Sequence, residues 1–302
     1  MTHTNPQTGL IGVGLLGTAL AETFLKAGHS VLGYDLNEHS LENLRKQGGT
    51  AALSATDVFQ RCSTVVLSLP DSQRVHALVA SQESFLNGQL LIDTTTGSPD
   101  DAARLGKMLA DRDVEYLDAT VLGSSEQTRR RDVVVMVGGR PDAFLRAQPV
   151  LECFASRHFY VGPWGAGSTA KLIVNLVLGL NRAVLAEGLS LAKQSGMDLP
   201  LMLEILRSGA AWSRVMDTKG QKMIDSDFQP PQARLDQHWK DVRLILDLGR
   251  TVGSPLPLSE LHEQLLSRAS ELGYGTSDNS AIIRAFEPQG RSASDPSTQA
   301  EG

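Results

Sequence analysis

Two polar residues, Lys171 and Asn175, lie four positions apart in a stretch that is otherwise apolar. On a helix, this spacing places both side chains on one face. A lysine in apolar surroundings loses its proton more easily than one in water, so it can serve as a general acid or base at neutral pH. An amide one turn away can orient a substrate oxygen. The alternative is a lysine near a helix end whose ammonium group reaches solvent.

The stretch that carries these two residues has the pattern of one long helix. Ser168 can cap its start, no proline occurs from Thr169 to Ser195, and Gly196 supplies a stop. At ~1.5 Å per residue, a helix over 168–195 is roughly 40 Å long. Its apolar side chains point in almost every direction, which predicts burial between two domains or two subunits.

A glycine-rich turn near the N-terminus predicts a dinucleotide site. An apolar strand pattern leads into Gly12-Val13-Gly14-Leu15-Leu16-Gly17, and an amphipathic helix pattern follows as far as Gly28. In such a unit Gly12 makes the tight turn, Gly14 lets the backbone approach a pyrophosphate, and Gly17 packs the helix close to the strand. The N–H groups of the helix N-terminus then face the phosphates.

Asp35, at the end of the next strand pattern, bears on the choice of cofactor. A carboxylate there accepts hydrogen bonds from the adenosine ribose and repels a 2′-phosphate, which favours NAD over NADP. The alternative is a surface aspartate that begins a turn.

Apolar strand patterns alternate with helix patterns as far as Val161, which predicts a doubly wound, largely parallel Rossmann sheet. Ligands of such sheets bind beyond the carboxyl ends of the strands, where Pro70 and Thr96 should lie. Beyond Gly165 only helix patterns follow. We therefore expect an α/β domain and an all-helical domain joined by the long helix. The predicted segments are a flexible N-terminus (1–8), the Rossmann domain (9–164), the helical domain (165–287) and a disordered tail (288–302).

Composition narrows the class of protein. The chain has 302 residues, which suggests two domains of ordinary size, and its net charge of −6 argues against nucleic acid as a partner. Only two cysteines occur, and the first eight residues lack the apolar core of a signal peptide, so a reducing, cytoplasmic location is expected. No run approaches ~18 consecutive apolar residues, which argues against a membrane span. No group of His, Cys and Asp has metal-ligand spacing, so no metal is expected.

Taken together, the chain resembles the β-hydroxyacid dehydrogenase family, the group of 3-hydroxyisobutyrate dehydrogenase and tartronate semialdehyde reductase. The resemblance spans roughly Leu10 to Phe286. The motifs that carry it are Gly12 to Gly17, Asp93-Thr-Thr-Thr96 with Pro99, Asp118-Ala-Thr-Val-Leu-Gly123, Gly165-Ala-Gly167 with Lys171 and Asn175, Trp239-Lys240-Asp241, and Gly273-Tyr-Gly275 with Asp278 and Ser280.

The resemblance also implies roles for individual residues. It makes Lys171 the catalytic lysine and Asn175 a group that orients the substrate, and it places Thr96 and Lys240 against the cofactor. Leu69 and Pro70, at the end of a predicted strand, are further expected cofactor residues. The segment that in the family lines the substrate carboxylate corresponds to Thr120–Ser125.

That substrate segment departs from the family pattern. The family usually has proline where this chain has Thr120, serine at Leu122 and glycine at Ser124. Because Leu122 cannot donate a hydrogen bond, two alternatives stay open. Either Ser124, Ser125, the backbone near Gly123 or an arginine of 129–131 binds the acid group, or the substrate has a less polar end there.

The expected reaction is hydride transfer between NAD and a small β-hydroxy acid similar to 3-hydroxyisobutyrate, with Lys171 moving the hydroxyl proton. An imine reductase is one alternative, although such enzymes usually lack a lysine at this position. A non-catalytic dinucleotide-binding protein is the other. The apolar long helix further predicts a homodimer or homotetramer.

Overall fold

The computed structural model describes residues 7–82, 86 and 88–287. Most of the predicted flexible N-terminus, and the whole predicted tail 288–302, lie outside the described residues. The prediction is wrong for Gln7 and Thr8, which form the start of the first strand. Thr8 is buried there and its hydroxyl shares a hydrogen bond of 2.8 Å with His29.

One sheet of eight strands organises the N-terminal part of the chain. The strands are β1 (Gln7–Ile11), β2 (Ser30–Tyr34), β3 (Thr50–Ala51), β4 (Thr64–Leu67), β5 (Leu90–Asp93), β6 (Glu115–Leu122), β7 (Val134–Gly139) and β8 (Arg157–Gly162). Their order is β3-β2-β1-β4-β5-β6-β7-β8, and every neighbouring pair is parallel except β6 and β7. The predicted doubly wound, largely parallel sheet is therefore confirmed.

Twelve α-helices accompany and follow the sheet in the described part of the chain. They are α1 (Leu15–Lys26), α2 (Glu38–Lys46), α3 (Ala55–Arg61), α4 (Ser72–Ser81), α5 (Pro99–Ala110), α6 (Ser125–Arg129), α7 (Pro141–Phe154), α8 (Ala166–Gln194), α9 (Leu199–Ser208), α10 (Arg214–Asp225), α11 (Leu235–Val252) and α12 (Pro257–Ala269). A π-helical turn (Ser270–Tyr274) and a 3-10 helix (Asn279–Phe286) follow them. Helix α10 is not predicted from the sequence, because Lys219 and Gly220 interrupt the face that Val215, Met216 and Met223 bury.

The inner strands are largely buried on both faces, as expected for strands between two helical layers, whereas β3 and β8 at the sheet edges are half-buried or exposed. Neighbouring residues of one strand enter different cores because side chains alternate across a sheet. Leu10 belongs to a core that contains Phe24 of α1 and Phe154 of α7. Ile11 belongs to a second core, which contains Phe59 of α3. The carboxyl ends of the strands are thereby held in fixed positions.

The long helix α8 is confirmed, with two corrections. It begins at Ala166 rather than after Ser168, so Ser168 lies in its first turn and does not cap it. The second correction is that the chain itself does not cover the helix on every side, because four of its apolar residues are more than half exposed in the single chain: Ile173, Val177, Val184 and Leu191. Burial of this face between two subunits stays a prediction. Among the described residues, α8 alone is long and apolar enough to cross a membrane, a test that core helices of other proteins also pass.

The chain divides into two compact units, and the boundaries fall inside helices or directly before one. The first unit extends to Leu176 and also contains Asp241–Leu256, and the second comprises Val177–Lys240 and the chain from Pro257 onward. The predicted boundary at Gly165 therefore lies before the first of these divisions, which falls within α8. Within the second unit, helices predominate, as the sequence predicts.

Candidate active site

The glycine turn after β1 has the geometry that a dinucleotide site requires. Gly12 has φ +94°, and a Cβ there would lie 2.2 Å from the carbonyl oxygen of Ser68. A Cβ at Gly17 would lie 1.9 Å from the carbonyl oxygen of Gly12. A Cβ at Gly14, in contrast, would meet no atom within 4 Å. The first and third glycines are therefore needed for packing, whereas the second leaves backbone open to a ligand.

Helix α1 begins directly after this turn. Gly14 is its N-cap residue, and its first turn contains no acidic side chain. The N–H groups of that turn can therefore bind an anion without competition from a carboxylate. Val13 is buried, Leu16 packs against the core beside the sheet, and Leu15 is exposed. A helix start of this kind can hold an anion such as the pyrophosphate of a dinucleotide.

Asp35 lies beside the glycine turn, immediately after β2. One carboxylate oxygen accepts the N–H of Val13 at 2.6 Å, and the other accepts the N–H of Asn37 at 2.8 Å. The two backbone donors fix the carboxylate at the end of the second strand. This is the position from which an acidic residue reaches the adenosine ribose in a Rossmann unit.

The ends of β4 and β5 lie beside the glycine turn because β4 neighbours β1 in the sheet and β5 neighbours β4. The backbone N–H of Leu69 donates to the hydroxyl of Thr95 at 3.1 Å, which ties the two strand ends together. Pro70 is exposed and Thr96 is half-buried at this edge. The predicted cofactor residues of the first unit thus lie along one edge of the sheet.

Lys171 and Asn175 lie one turn apart on α8, as predicted. The Lys171 ammonium donates to the carbonyl oxygen of Val121, on β6, at 2.8 Å. Burial lowers the pKa of Lys171 below its ordinary value, and the negative charge of Asp241 opposes this effect. The arrangement holds a lysine that gives up its proton more readily than one in water.

Asp241, on α11, is a member of the site for which the sequence predicts no role. Its carboxylate accepts a hydrogen bond of 2.9 Å from the side-chain amide of Asn175. The contact orients the amide and leaves its oxygen and its second N–H for other partners. The sequence signal that could have identified Asp241 is its place in the Trp239-Lys240-Asp241 motif. Lys240 itself is half-buried on α11, in the second unit.

The predicted substrate segment forms the end of β6 and the start of α6. Leu122 is half-buried, and Gly123 has φ +145° with a Cβ position 2.5 Å from the Val133 side chain. Ser124 caps α6, since its hydroxyl accepts the N–H of Gln127 at 3.2 Å. The N–H of Ser124 in turn donates to the Gln127 side chain at 3.0 Å. Its backbone donor is thereby occupied, whereas its hydroxyl proton can still bind an oxygen.

The three arginines of 129–131 have partners within the first unit. Arg129 pairs with Glu22 at 3.0 Å, Arg130 with Glu126 at 3.8 Å, and Arg131 donates to the carbonyl oxygen of Glu152 at 2.6 Å. These contacts favour a solvated surface over a substrate contact for the arginine cluster.

A buried carboxylate, Asp118, lies under the start of α8. It accepts the N–H of Gly165 at 3.0 Å and that of Ser168 at 2.8 Å. Burial raises the pKa of Asp118 to about 6, and the hydrogen bonds from Ser168 and Gly165 oppose the rise. The sequence signal for Asp118 is its place at the start of the Asp118–Gly123 motif, which by itself indicates no partner.

Comparison with known proteins finds one family model for each part of the chain. Residues 7–162 match the model for the NAD binding domain of 6-phosphogluconate dehydrogenase. Residues 165–286 match the model described as NAD-binding of NADP-dependent 3-hydroxyisobutyrate dehydrogenase.

Individual relatives agree with these two models over almost the whole chain. The chain is 30% identical to 2-(hydroxymethyl)glutarate dehydrogenase of Eubacterium barkeri, over 92% of this chain and 94% of that protein. It is 31% identical to L-threonate dehydrogenase of Escherichia coli K12, with the same coverage of 92% and 94%. A crystal structure of 3-hydroxyisobutyrate dehydrogenase from Salmonella typhimurium superposes with a TM-score of 0.85 at 30% identity, covering 93% of this chain and all of the other. The chain therefore belongs to the β-hydroxyacid dehydrogenase family of NAD(P)-dependent oxidoreductases, which act on CH–OH groups.

Proposed function

We propose that the protein oxidises a small β-hydroxy acid, similar to 3-hydroxyisobutyrate, to its semialdehyde or keto form with Lys171 as general acid and base. The observation that carries the proposal is the state of the Lys171 ammonium. Its pKa is lowered by burial, and it donates to a backbone carbonyl rather than to a carboxylate. A lysine so placed gives up its proton more readily than one in water, which suits it to the role of a general acid and base.

In the oxidative direction, neutral Lys171 accepts the proton of the substrate hydroxyl as the C–H bond breaks. A nicotinamide cofactor bound at the glycine turn supplies the hydride acceptor. Asn175, fixed by Asp241, presents its amide oxygen or its second N–H to a substrate oxygen. In the reductive direction, the lysine ammonium returns its proton to the oxygen that gains negative charge.

NAD is the proposed cofactor in preference to NADP. The carboxylate of Asp35 is held beside the glycine turn by two backbone N–H groups, and its negative charge would repel a 2′-phosphate. The matching measurement is kcat/KM with each nucleotide. A preference for NADP would mean that Asp35 does not contact the ribose.

For the acid end of the substrate, we propose that the hydroxyl groups of Ser124 and Ser125 take over from the serine that the family usually has at the position of Leu122. Because Gly123 has no side chain, the backbone there can approach a substrate closely, and the Ser124 hydroxyl still has a proton to donate. Relatives named for 2-(hydroxymethyl)glutarate and L-threonate make hydroxy acids the first compounds to test.

The second unit carries an apolar surface that suits a second copy of the chain. Val177, Val184 and Leu191 follow one another at intervals of seven residues on α8, and each is more than half exposed. On α9, Leu201 and Ile205 are also exposed, one turn apart. Exposed apolar patches of this kind mark interfaces, so we propose a homodimer or homotetramer.

The test of the function is turnover by Lys171→Ala with a panel of β-hydroxy acids and semialdehydes, followed by absorbance of the reduced nicotinamide. The variant should bind NAD with nearly unchanged affinity while kcat falls ~10²–10⁴-fold, the range for a lost acid/base group. Lys193→Ala is the matched control, because this lysine lies on the same helix but pairs with Glu287 at 3.6 Å. Unchanged turnover in Lys171→Ala would exclude the lysine from the mechanism. No turnover of any compound by the unmodified protein, despite NAD binding, would favour a non-catalytic role.

A further inference from the structure

The start of helix α8 is capped in part by a side chain from a distant strand. Asp118, on β6, is 1% exposed, and its two carboxylate oxygens accept the N–H groups of Gly165 and Ser168. Such N–H groups at a helix start have no intrahelical acceptor. A carboxylate is the strongest acceptor a side chain can offer them, because it also opposes the positive end of the helix dipole.

A second residue of the same strand grips the same helical turn. Thr120, two residues beyond Asp118, is fully buried, and its hydroxyl donates to the carbonyl oxygen of Gly167 at 2.8 Å. Residues two apart point to the same face of a strand. Asp118 therefore accepts hydrogen bonds from N–H groups of the first turn of α8, and Thr120 donates one to a carbonyl of the same turn. The two contacts together fix both the position and the orientation of that turn. The proline that the family usually has at this site could not donate such a bond.

The main chains of β6 and α8 are in direct contact at this turn. A Cβ at Gly167 would lie 2.1 Å from the carbonyl oxygen of Asp118, and one at Gly138, on β7, would lie 2.8 Å from the N–H nitrogen of Gly167. No side chain separates the helix from the strands at these described positions. Small changes in the capping groups must therefore move the helix backbone itself.

The lysine of the proposed reaction follows one turn later. Lys171 is four residues beyond Gly167, and its ammonium donates to the carbonyl oxygen of Val121, the residue next to Thr120. Strand β6 thus holds both the start of the helix and the tip of the lysine. If the first turn of α8 shifts, the ammonium moves relative to that carbonyl and to the edge of the sheet where the cofactor residues lie.

We propose that Asp118 and Thr120 are positioning residues for Lys171, which act by fixing the first turn of α8 against β6. The inference rests on the proposed function, since it assigns to Lys171 the acid/base role. Neither residue needs to contact substrate or cofactor. Their effect on turnover should pass through the position and the protonation of the lysine.

The first experiment is a double-mutant cycle between Asp118→Asn and Lys171→Ala. The amide introduced by Asp118→Asn could accept only one of the two N–H groups and would turn its own NH₂ toward the other. We expect Asp118→Asn to lower kcat about 10–100-fold, as a misplacement near 1 Å does, while the Kd for NAD stays within about threefold. In the Lys171→Ala background, the same change should alter the residual rate less than about threefold. An equal loss in both backgrounds would overturn the proposal, because Asp118 would then act without the lysine.

The second experiment measures the pKa of Lys171 directly, without an activity assay. Competitive acetylation at a series of pH values, followed by mass spectrometry, gives the pKa of Lys171 in each variant. Loosening the turn should admit water and raise that pKa toward the ordinary value of a lysine. An unchanged Lys171 pKa in Asp118→Asn would contradict the proposal. If Lys171→Ala retained full turnover, the proposed function would be wrong, whereas the acetylation result would still report on positioning.

Thr120 provides a matched pair of variants in case Asp118→Asn does not fold. Thr120→Ser keeps the hydroxyl that binds Gly167 and should retain wild-type kcat within about threefold, whereas the isosteric Thr120→Val should lower kcat about tenfold or more. Equal effects of both Thr120 variants would contradict the role of the hydroxyl.

Asp93→Asn is the control for loss of a buried carboxylate. Asp93 lies directly opposite Asp118 on β5 and binds Thr95 and Tyr116 instead of α8. Asp93→Asn should lower the stability of the protein without changing the pKa of Lys171.

Discussion

Alanine at Gly17 and at Gly14 should separate the packing of the glycine turn from its role as a cofactor site. A Cβ at Gly17 would lie 1.9 Å from the carbonyl oxygen of Gly12. Ordinary contact begins near 3.4 Å, so α1 or the turn must shift by about 1.5 Å, a displacement that typically costs about 1–3 kcal/mol in a packed core. For a domain of this size such a loss lowers Tm by about 2–12 °C. We expect Gly17→Ala to unfold at lower temperature and to bind NAD weakly.

Gly14→Ala should show the opposite combination. Gly14 has a negative φ of −74°, outside the left-handed region that favours glycine, and a Cβ there meets no atom within 4 Å. The variant should therefore be as stable as the wild type or more stable by about 0.4–1 kcal/mol. The added methyl group would point into the open space above the turn, where the backbone must approach the pyrophosphate. We expect the Kd for NADH to rise at least about tenfold.

Two measurements decide this pair: thermal unfolding of the nucleotide-free protein and titration with NADH by calorimetry. The expected result is a lower Tm for Gly17→Ala only, with weakened NADH binding in both variants. Wild-type affinity in Gly14→Ala would refute the placement of the pyrophosphate at this turn. A wild-type Tm in Gly17→Ala would refute the packing argument.

Four further predictions concern other parts of the chain. Burial lowers the pKa of His262 to about 4 from 6.5. The unfolded chain therefore takes up a proton at higher pH than the folded chain does. About 3 kcal/mol of stability present above pH 6.5 should be lost as the pH falls through 4. Urea unfolding at a series of pH values should show this loss in the wild type and not in His262→Phe. Asp35→Ser should reduce the preference for NAD over NADP in kcat/KM by about tenfold or more, and an unchanged ratio would exclude a ribose contact. Ser124→Ala should lose about 1 kcal/mol in urea unfolding through the missing cap and should raise KM for the acid substrate; an unchanged KM would leave Ser124 a capping residue only. Val184→Glu should dissociate the oligomer, so that light scattering gives the 32.5 kDa of one chain, whereas an unchanged larger mass would place the interface elsewhere.

Much of the fold could be predicted because its signals are local. The turn from Gly12 to Gly17 is recognisable from a strand pattern before it and a helix pattern after it, all within about thirty residues. Short apolar strand patterns at regular intervals predict the parallel sheet in the same way. The spacing of Lys171 and Asn175 fixes their common helix face without knowledge of the tertiary structure.

The contacts that complete the site are not local, and the sequence could not predict them. Asn175 meets Asp241 across 66 positions, and Asp118 meets Ser168 across 50. The prediction that Ser168 caps α8 was wrong for the same reason, since a stronger acceptor arrives from β6. Local preference gave way to a tertiary contact.

Exposure of the long helix could not be predicted either. The sequence places the apolar residues Val177, Val184 and Leu191 on one face of α8. Only the fold shows that the same chain leaves this face of the helix exposed.

The direct main-chain contact between β6 and α8 also limits how such an enzyme can change substrate during evolution. At Gly138 and Gly167 even a methyl group would strike the opposing backbone, so neither position tolerates a stepwise change. Farther along β6, the strand ends at Leu122, which is only half-buried. New specificities should therefore arise by replacing side chains from Leu122 onward while the turn beneath the lysine stays constant. Selection on a library randomised at positions 122, 124 and 125 would then explore new substrates without disturbing the proton transfer.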